Sequence, residues 1–262
     1  MFNSEFYSHV EAYDIAFSDR DINAQCNFVE WCFKNHSTIA NPKELTYLDI
    51  CAGPAPHGIE LSKRGWHSIA IDLSQEMKEY TQIKAQKHNA KIDYVLADIR
   101  DFNISKKGAL AGCYIDSMTH LTTNEDIINH FKAMQKNMLS GGIYIIELAH
   151  PKYLFPASEP NQWTIKKEDK EVDVLYGLPD DSYNSITQIW DLTTHLILKQ
   201  NGKILKQIEK TAKHRFYGCQ EFKALIELSG VFDFYTFYGN LLLPAQLLDE
   251  KSKSMIAILR FK

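Results

Sequence analysis

Cysteine is scarce and scattered in this sequence. The five residues Cys26, Cys32, Cys51, Cys113 and Cys219 form no CxxC pair. That excludes a disulfide framework and a cysteine-rich zinc module, and it points to a reducing cytoplasm. The histidines lack a metal-ligand spacing such as HxxxH, so no metal is expected. No apolar run reaches the roughly 18 residues that span a bilayer, so no membrane contact is expected. The start, MFNSEFYSHVEAYD, lacks the basic residues and apolar stretch of a secretory signal. An excess of positive charge is missing too. There are 29 Lys+Arg against 33 Asp+Glu, for a net charge of −4, whereas a nucleic-acid binder needs a basic stripe. The dinucleotide fingerprint GxGxxG is also absent.

What remains is an ordinary globular composition, 45% hydrophobic and 24% charged over 262 residues. That length suits one large domain or one domain with an insert. Residues 5–35, from Phe6 onward, read as helical, and Asn41-Pro42 closes them. Apolar runs at 45–51, 67–73, 92–97, 109–115 and 143–148 read as strands. Helical stretches at 57–64, 74–88 and 124–139 alternate with them, and Ser140-Gly141-Gly142 reads as the stop of the last helix. Alternating strands and helices mean βαβ units and a mostly parallel, doubly wound Rossmann-like α/β sheet. After Pro151 the rhythm becomes strand-like at 172–176, 185–192, 195–200 and 204–211, with Asn201-Gly202 as a hairpin signal. A helix at 220–229 and strands at 232–238 and 255–261 close the chain. The expected organisation is an α/β domain over 1–150 and 217–262, with residues 151–216 inserted as an antiparallel β lid for substrate.

In open α/β sheets, ligands bind outside the carboxyl ends of the strands. Asp49, Asp72, Asp98, Asp116 and Glu147 fall at five successive strand ends. The turn Cys51-Ala52-Gly53-Pro54-Ala55 is built of small residues, so a ligand can approach its backbone. Asp49 before that turn repels a pyrophosphate but suits a cationic amine or sulfonium. Asp72 is placed to accept hydrogen bonds from two ribose hydroxyls. Asp98 with Ile99 offers an adenine edge one side-chain acceptor and one backbone donor.

The segments LDICAGPAPHG, IAIDLSQEM, ADIRDF, DSMTHL and MLSGGIYIIEL together resemble the class I S-adenosylmethionine-dependent methyltransferases. The resemblance spans about residues 5–150 and 218–262. Residues 151–216 resemble the β-sheet lid of the small-molecule branch, which includes glycine and amino-sugar N-methyltransferases. The family's first motif ends in Gly, where this chain has Ala55. The resemblance implies S-adenosyl-L-methionine as cofactor, with S-adenosyl-L-homocysteine as product. Asp49, Cys51, Ala52 and Gly53 would hold its methionine end, Asp72 its ribose, and Leu73, Met77, Asp98 and Ile99 its adenine. Asp116 and Ser117 would complete the cofactor site. Tyr13, of the pair Tyr13-Asp14, would fold over the cofactor and gain cation–π attraction to a sulfonium, or would merely pack a helix.

Methyl transfer needs alignment and desolvation first, and a base only for a protonated or hydroxyl acceptor. His120 is the first candidate, against a turn-capping role. His150 has the weaker case, and His214 is a third. Arg215 suits a substrate carboxylate or a salt bridge. Glu147 suits an acceptor amine or a solvated strand end. The expected function is methylation of a small molecule, at nitrogen rather than oxygen. Three alternatives stay open: other S-adenosylmethionine chemistry such as cyclisation, a non-catalytic cofactor-binding role, and a nicotinamide-dependent oxidoreductase. The oligomeric state, monomer or homodimer, is open as well.

Overall fold

The computed structural model describes residues 10–40, 45–153 and 160–262. The expectations for Phe6 and for Asn41-Pro42 lie outside the described residues. The chain divides into two units. One comprises Asp21–Leu154 and Tyr217–Lys262, the other Met1–Arg20 and Phe155–Phe216. Each is described by itself.

The larger unit is the α/β unit. Helix α2 (Ile22–His36) starts where the Asp21 side chain accepts the Ala24 N–H. Strand β1 (Thr46–Ile50) is buried throughout and leads through a tight turn into α3 (Pro56–Lys63), with Pro56 at its first position. Strand β2 (His67–Asp72) is followed by α4 (Gln75–Lys87), whose N-cap Ser74 accepts the Met77 N–H at 3.1 Å. Strands β3 (Ile92–Leu96) and β4 (Gly108–Cys113) come next, then a short 3₁₀ turn, Ser117–His120. Helix α5 (Asn124–Asn137) is capped by Thr123 and runs directly into β5 (Met138–Ala149). Ser140-Gly141-Gly142 is therefore not a break between helix and strand. It is an irregularity inside β5, with Met138 opposite Gly108 but Ile143 opposite Leu110. Gly141, at φ +78°, supplies the left-handed residue such a detour needs.

Strands β1 to β5 are mutually parallel where they pair. After the second unit's strands the chain returns as α6 (Cys219–Ser229), β11 (Phe232–Tyr238) and β12 (Ser254–Phe261). The seven-stranded order is β11-β12-β5-β4-β1-β2-β3, with β12 antiparallel to both its neighbours. Helices cover both faces. One buried cluster joins Leu48, Ile50, Phe131, Tyr144, Phe222 and Leu259, the other Phe28, Tyr47, Leu110, Ile145 and Ile258. Strand order reverses between β1 and β4, which places the crevice for a ligand at their carboxyl ends.

The smaller unit is an antiparallel sheet in the order β10-β9-β7-β6, with β8 beside β9. Its strands are β6 (Asn161–Lys167), β7 (Lys170–Tyr176), β8 (Tyr183–Asn184), β9 (Ile189–Gln200) and β10 (Lys203–Arg215). Asn201 (φ +50°) and Gly202 (φ +76°) form the β9–β10 turn that their dipeptide predicts. The expected runs at 185–192 and 195–200 merge into the single strand β9. Strand β6 escaped the sequence reading because NQWTIKK is largely exposed and shows little alternation. The helical region expected over 5–35 breaks at residues 17–21. Its first part, α1 (Val10–Ala16), packs Ala12, Ile15 and Ala16 against Val172, Val174, Leu196 and Ile208 of this second sheet.

Candidate active site

The turn after β1 is tied down from several directions. Asp49 is buried, and its Oδ2 accepts the Gly58 N–H at 2.9 Å while the Tyr47 hydroxyl donates to Oδ1 at 3.3 Å. Burial outweighs both bonds and pushes the Asp49 carboxyl up to about 7. The Gly53 N–H donates to Asp72 Oδ2 at 2.8 Å. The Gly53 carbonyl accepts from the Tyr94 hydroxyl at 2.9 Å and from Thr81 Oγ1 at 3.1 Å. Cys51 (φ +52°) and Ala55 (φ +47°) are both left-handed without being glycine. That conformation costs about 1–2 kcal/mol for an L-residue, so the surrounding bonds must hold it.

Asp72, the last residue of β2, also accepts the Ser74 N–H on Oδ1 at 3.0 Å. Burial raises its pKa, against the lowering effect of the N–H groups of Gly53, Ser74 and Leu73. Met77 is fully buried and Leu73 is half exposed. Beyond β3, the Arg100 side chain grips Asp98 through Nε and Nη2, at 3.0 and 2.6 Å. The same guanidinium holds the Asp98 carboxyl below its ordinary range.

On the other side of the switch point, Ile115 and Asp116 are consecutive left-handed residues, both at φ +53°. A β-branched residue there is a genuine outlier, of the kind that marks a functional turn. Two carboxylates fix it. Glu147 Oε2 accepts the Ile115 N–H at 3.0 Å, and Asp116 Oδ1 accepts the Ala149 N–H. Ser117 Oγ donates to the Tyr114 carbonyl at 2.8 Å. His120 ends the following turn, and burial lowers its pKa, so the ring is neutral near pH 7. His150 braces two turns instead. Its Nδ1 accepts the Lys152 N–H, so its Nε2–H donates to the Asp249 carbonyl.

The α/β unit thus holds Asp49, Cys51, Ala52, Gly53, Asp72, Leu73, Met77, Asp98, Ile99, Asp116, Ser117, His120 and Glu147 along one edge of one sheet. Tyr13, His214 and Arg215 belong to the antiparallel unit. There Tyr13 packs on Phe17 at 4.9 Å between ring centres, and His214 lies parallel to Phe216. Sequence reasoning missed Tyr94 and Thr81, which clamp Gly53, and Tyr114, whose ring stacks on His57 at 3.8 Å. It also missed Arg100. The inward position of Tyr94 on β3 and the Asp98-x-Arg100 spacing were the available signals.

Residues 48–142, from β1 into β5, match the family described as "Methyltransferase domain". Over those residues the chain carries a methyltransferase domain, on the fold of class I S-adenosylmethionine-dependent methyltransferases. The Bacillus subtilis (strain 168) protein named methyltransferase YqeM is 22% identical to it over 192 residues, 72% of this chain and 74% of the relative. An S-adenosylmethionine-dependent methyltransferase of Clostridium acetobutylicum ATCC 824 shares the fold at a TM-score of 0.74 and 16% identity, covering 95% of both chains. The sugar N-methyltransferase KedS8 of Streptoalloteichus sp. ATCC 53650 does so at 0.70 and 14%, covering 95% of this chain and 93% of that one. The matched residues run from β1 into β5 of the seven-stranded sheet, and the antiparallel sheet follows β5 in the chain. Among the described residues no helix is long and apolar enough to cross a membrane.

Proposed function

We propose that this methyltransferase moves a methyl group from S-adenosylmethionine to a small-molecule acceptor, an amine in preference to a hydroxyl. The observation that carries the reading is the buried Asp49 carboxyl beside a turn of small residues. A carboxyl pushed up to about 7 by burial is relieved by a cation, and the amino group of a methionine moiety is one. The donor set fits the rest of the cofactor. In this reading Cys51, Ala52 and Gly53 line the methionine end, joined by Asp116 and Ser117. Asp72 takes the ribose hydroxyls. Asp98 and Ile99 meet the adenine edge, with Leu73 and Met77 against its faces.

Bound S-adenosylmethionine supplies an electrophilic methyl on a sulfonium. The chain's residues then have three tasks. The β1 and β2 turns hold the cofactor still, which removes orientational entropy from the reaction. Glu147 attracts an acceptor amine. His120, neutral because it is buried, accepts the proton an ammonium acceptor must lose before its lone pair can attack. The kinship of fold with a sugar N-methyltransferase supports nitrogen as the site of transfer.

The test is chemical identification. The purified protein is denatured, and released nucleotides are read by mass spectrometry beside a calorimetric titration with S-adenosylhomocysteine. An S-adenosyl compound or micromolar affinity is expected. A nicotinamide nucleotide, with no affinity for S-adenosylhomocysteine, overturns the reading.

A further inference from the structure

Three features around the β3–β4 connection act on one dipeptide. The Asp98 carbonyl accepts the Asp101 N–H at 3.1 Å. A trans peptide points its carbonyl and its N–H in opposite directions, so this bond also fixes where the Ile99 N–H points. The Ile99 carbonyl accepts from His130 Nδ1 at 2.8 Å. A carbonyl only accepts, so His130 carries its proton on Nδ1, and its Nε2 accepts from the Tyr144 hydroxyl at 2.9 Å. His130 and Tyr144 are fully buried. Breaking this chain would strand a polar atom in the core.

The Asp98 side chain is fixed separately. An ionised carboxylate has about four acceptor positions. The Arg100 N–H, Nε–H and one Nη2–H point at them, at 2.9, 3.0 and 2.6 Å. Oδ1 receives the Arg100 N–H and Nε–H, whereas the Nε–H reaches Oδ2 only at 3.2 Å, so Oδ2 is the oxygen with acceptor capacity left for an incoming amine. Arg100 is itself held from behind, because its Nη1 donates to Asp126 Oδ1 at 3.1 Å. Asp126 and His130 lie four residues apart on α5 and so share one face of it. One helix therefore braces both the side chain and the main chain of the Asp98-Ile99 pair.

We propose that Arg100 and His130 are positioning residues for purine recognition: they hold one acceptor and one donor at the spacing of the 6-amino edge of adenine, and so set the base specificity of the site. This rests on the reading that Asp98 and Ile99 face the adenine. It adds two residues, neither of which need touch the ligand, and assigns them a discrimination that simple fold maintenance does not supply.

The experiment compares S-adenosyl-L-homocysteine with S-inosyl-L-homocysteine, in which a 6-oxo group replaces the amine. Binding of each is measured by calorimetry on the full chain and on the Arg100→Gln, His130→Gln and His130→Asn variants. The wild type is expected to prefer the adenosyl ligand by about a hundredfold, the scale of a lost hydrogen bond to a charged acceptor. Arg100→Gln frees the Asp98 carboxylate to rotate, and the preference falls to about tenfold or less. His130→Gln loses the donor to Ile99 and behaves likewise. His130→Asn places an amide N–H where Nδ1 was, and restores most of the preference. Arg100 is partly exposed and its loss leaves the core intact, so folding does not confound that variant. If both ligands weaken equally in Arg100→Gln and His130→Gln, or neither weakens, the positioning role is wrong while the cofactor reading stands. If the wild type binds neither ligand, the cofactor reading itself fails.

Discussion

The two sides of the switch point use the same device differently. On the β1–β3 side, each carboxylate ties down the turn that follows its own strand. Asp49 accepts from Gly58, Asp72 from Ser74, and Asp98 from Arg100. On the β4–β5 side the ties run across strands: Asp116 to Ala149, and Glu147 to Ile115. Both sides contain two strained left-handed residues, Cys51 with Ala55 and Ile115 with Asp116. The first pair is held by the Asp49 bond within its own βα unit and, through Gly53, by Asp72, Tyr94 and Thr81 from β2, β3 and α4. The second is held by residues more than thirty positions away. The β1 turn is thus fixed from three neighbouring elements at once, with carboxylate, phenol and hydroxyl partners. The β4 turn is fixed by two carboxylate ties that run across to and from β5.

Tyr114 is where the two sides meet, and Gly112 makes room for it. A Cβ at Gly112 would overlap the Tyr114 phenol, which stacks on His57 and lies 3.3 Å from the Tyr47 hydroxyl. Gly112→Ala is expected to lose about 2–3 kcal/mol of stability, the scale of overpacking in a close-packed interior. Urea unfolding measures it. Because the displaced phenol belongs to the Asp49 cluster, affinity for S-adenosylhomocysteine falls as well, although β4 lies on the other side.

A smaller effect sharpens the β1 side alone. Asp49 has its pKa raised to about 7 in the fold. Its contribution to fold stability is therefore full below about pH 4 and lost as pH rises through about 7. A ligand ammonium favours the ionised form, so ligand affinity runs the opposite way. Binding of S-adenosylhomocysteine should tighten about tenfold from pH 6 to pH 8, near 1.4 kcal/mol. In Asp49→Asn that slope should vanish. Calorimetry at three pH values checks it.

The same contrast explains what was legible in the sequence. The β1–β3 turns carry their signals in short stretches: small residues after Asp49, the Ser74 cap after Asp72, and an acid directly beyond β3. Their chemistry is local, so spacing alone exposes it. Asn201-Gly202 was readable for the same reason. The irregularity inside β5 was not, because Ser140-Gly141-Gly142 looks the same as a helix stop until its pairing with β4 is known. Asp116 and Glu147 were readable as strand-end acids, but their crossed bonds were not, since a tie between distant residues leaves no local pattern. Arg100 stands two residues from Asp98, so its spacing was a local signal, whereas His130 falls in the second class. His130 sits on the inward face of an amphipathic helix, where a histidine looks like any other core position. The break between α1 and α2 was hidden because both segments keep a helical period across the Asp21 cap.

In the proposed division the β1–β3 turns hold most of the cofactor, Asp116 and Ser117 meet its methionine end, and Glu147 with His120 serves the acceptor. The most direct measurement is the affinity of Asp72→Ala and of Glu147→Gln for S-adenosylhomocysteine, each beside the wild type in one calorimetric series. Asp72→Ala removes the acceptors for two ribose hydroxyls and the tie to Gly53. Its affinity should fall at least a hundredfold, about 2.7 kcal/mol. Glu147→Gln keeps an acceptor for the Ile115 N–H and should bind within about threefold of the wild type, a difference of roughly 0.6 kcal/mol. Equal losses in the two variants, or unchanged affinity in Asp72→Ala, would contradict the division.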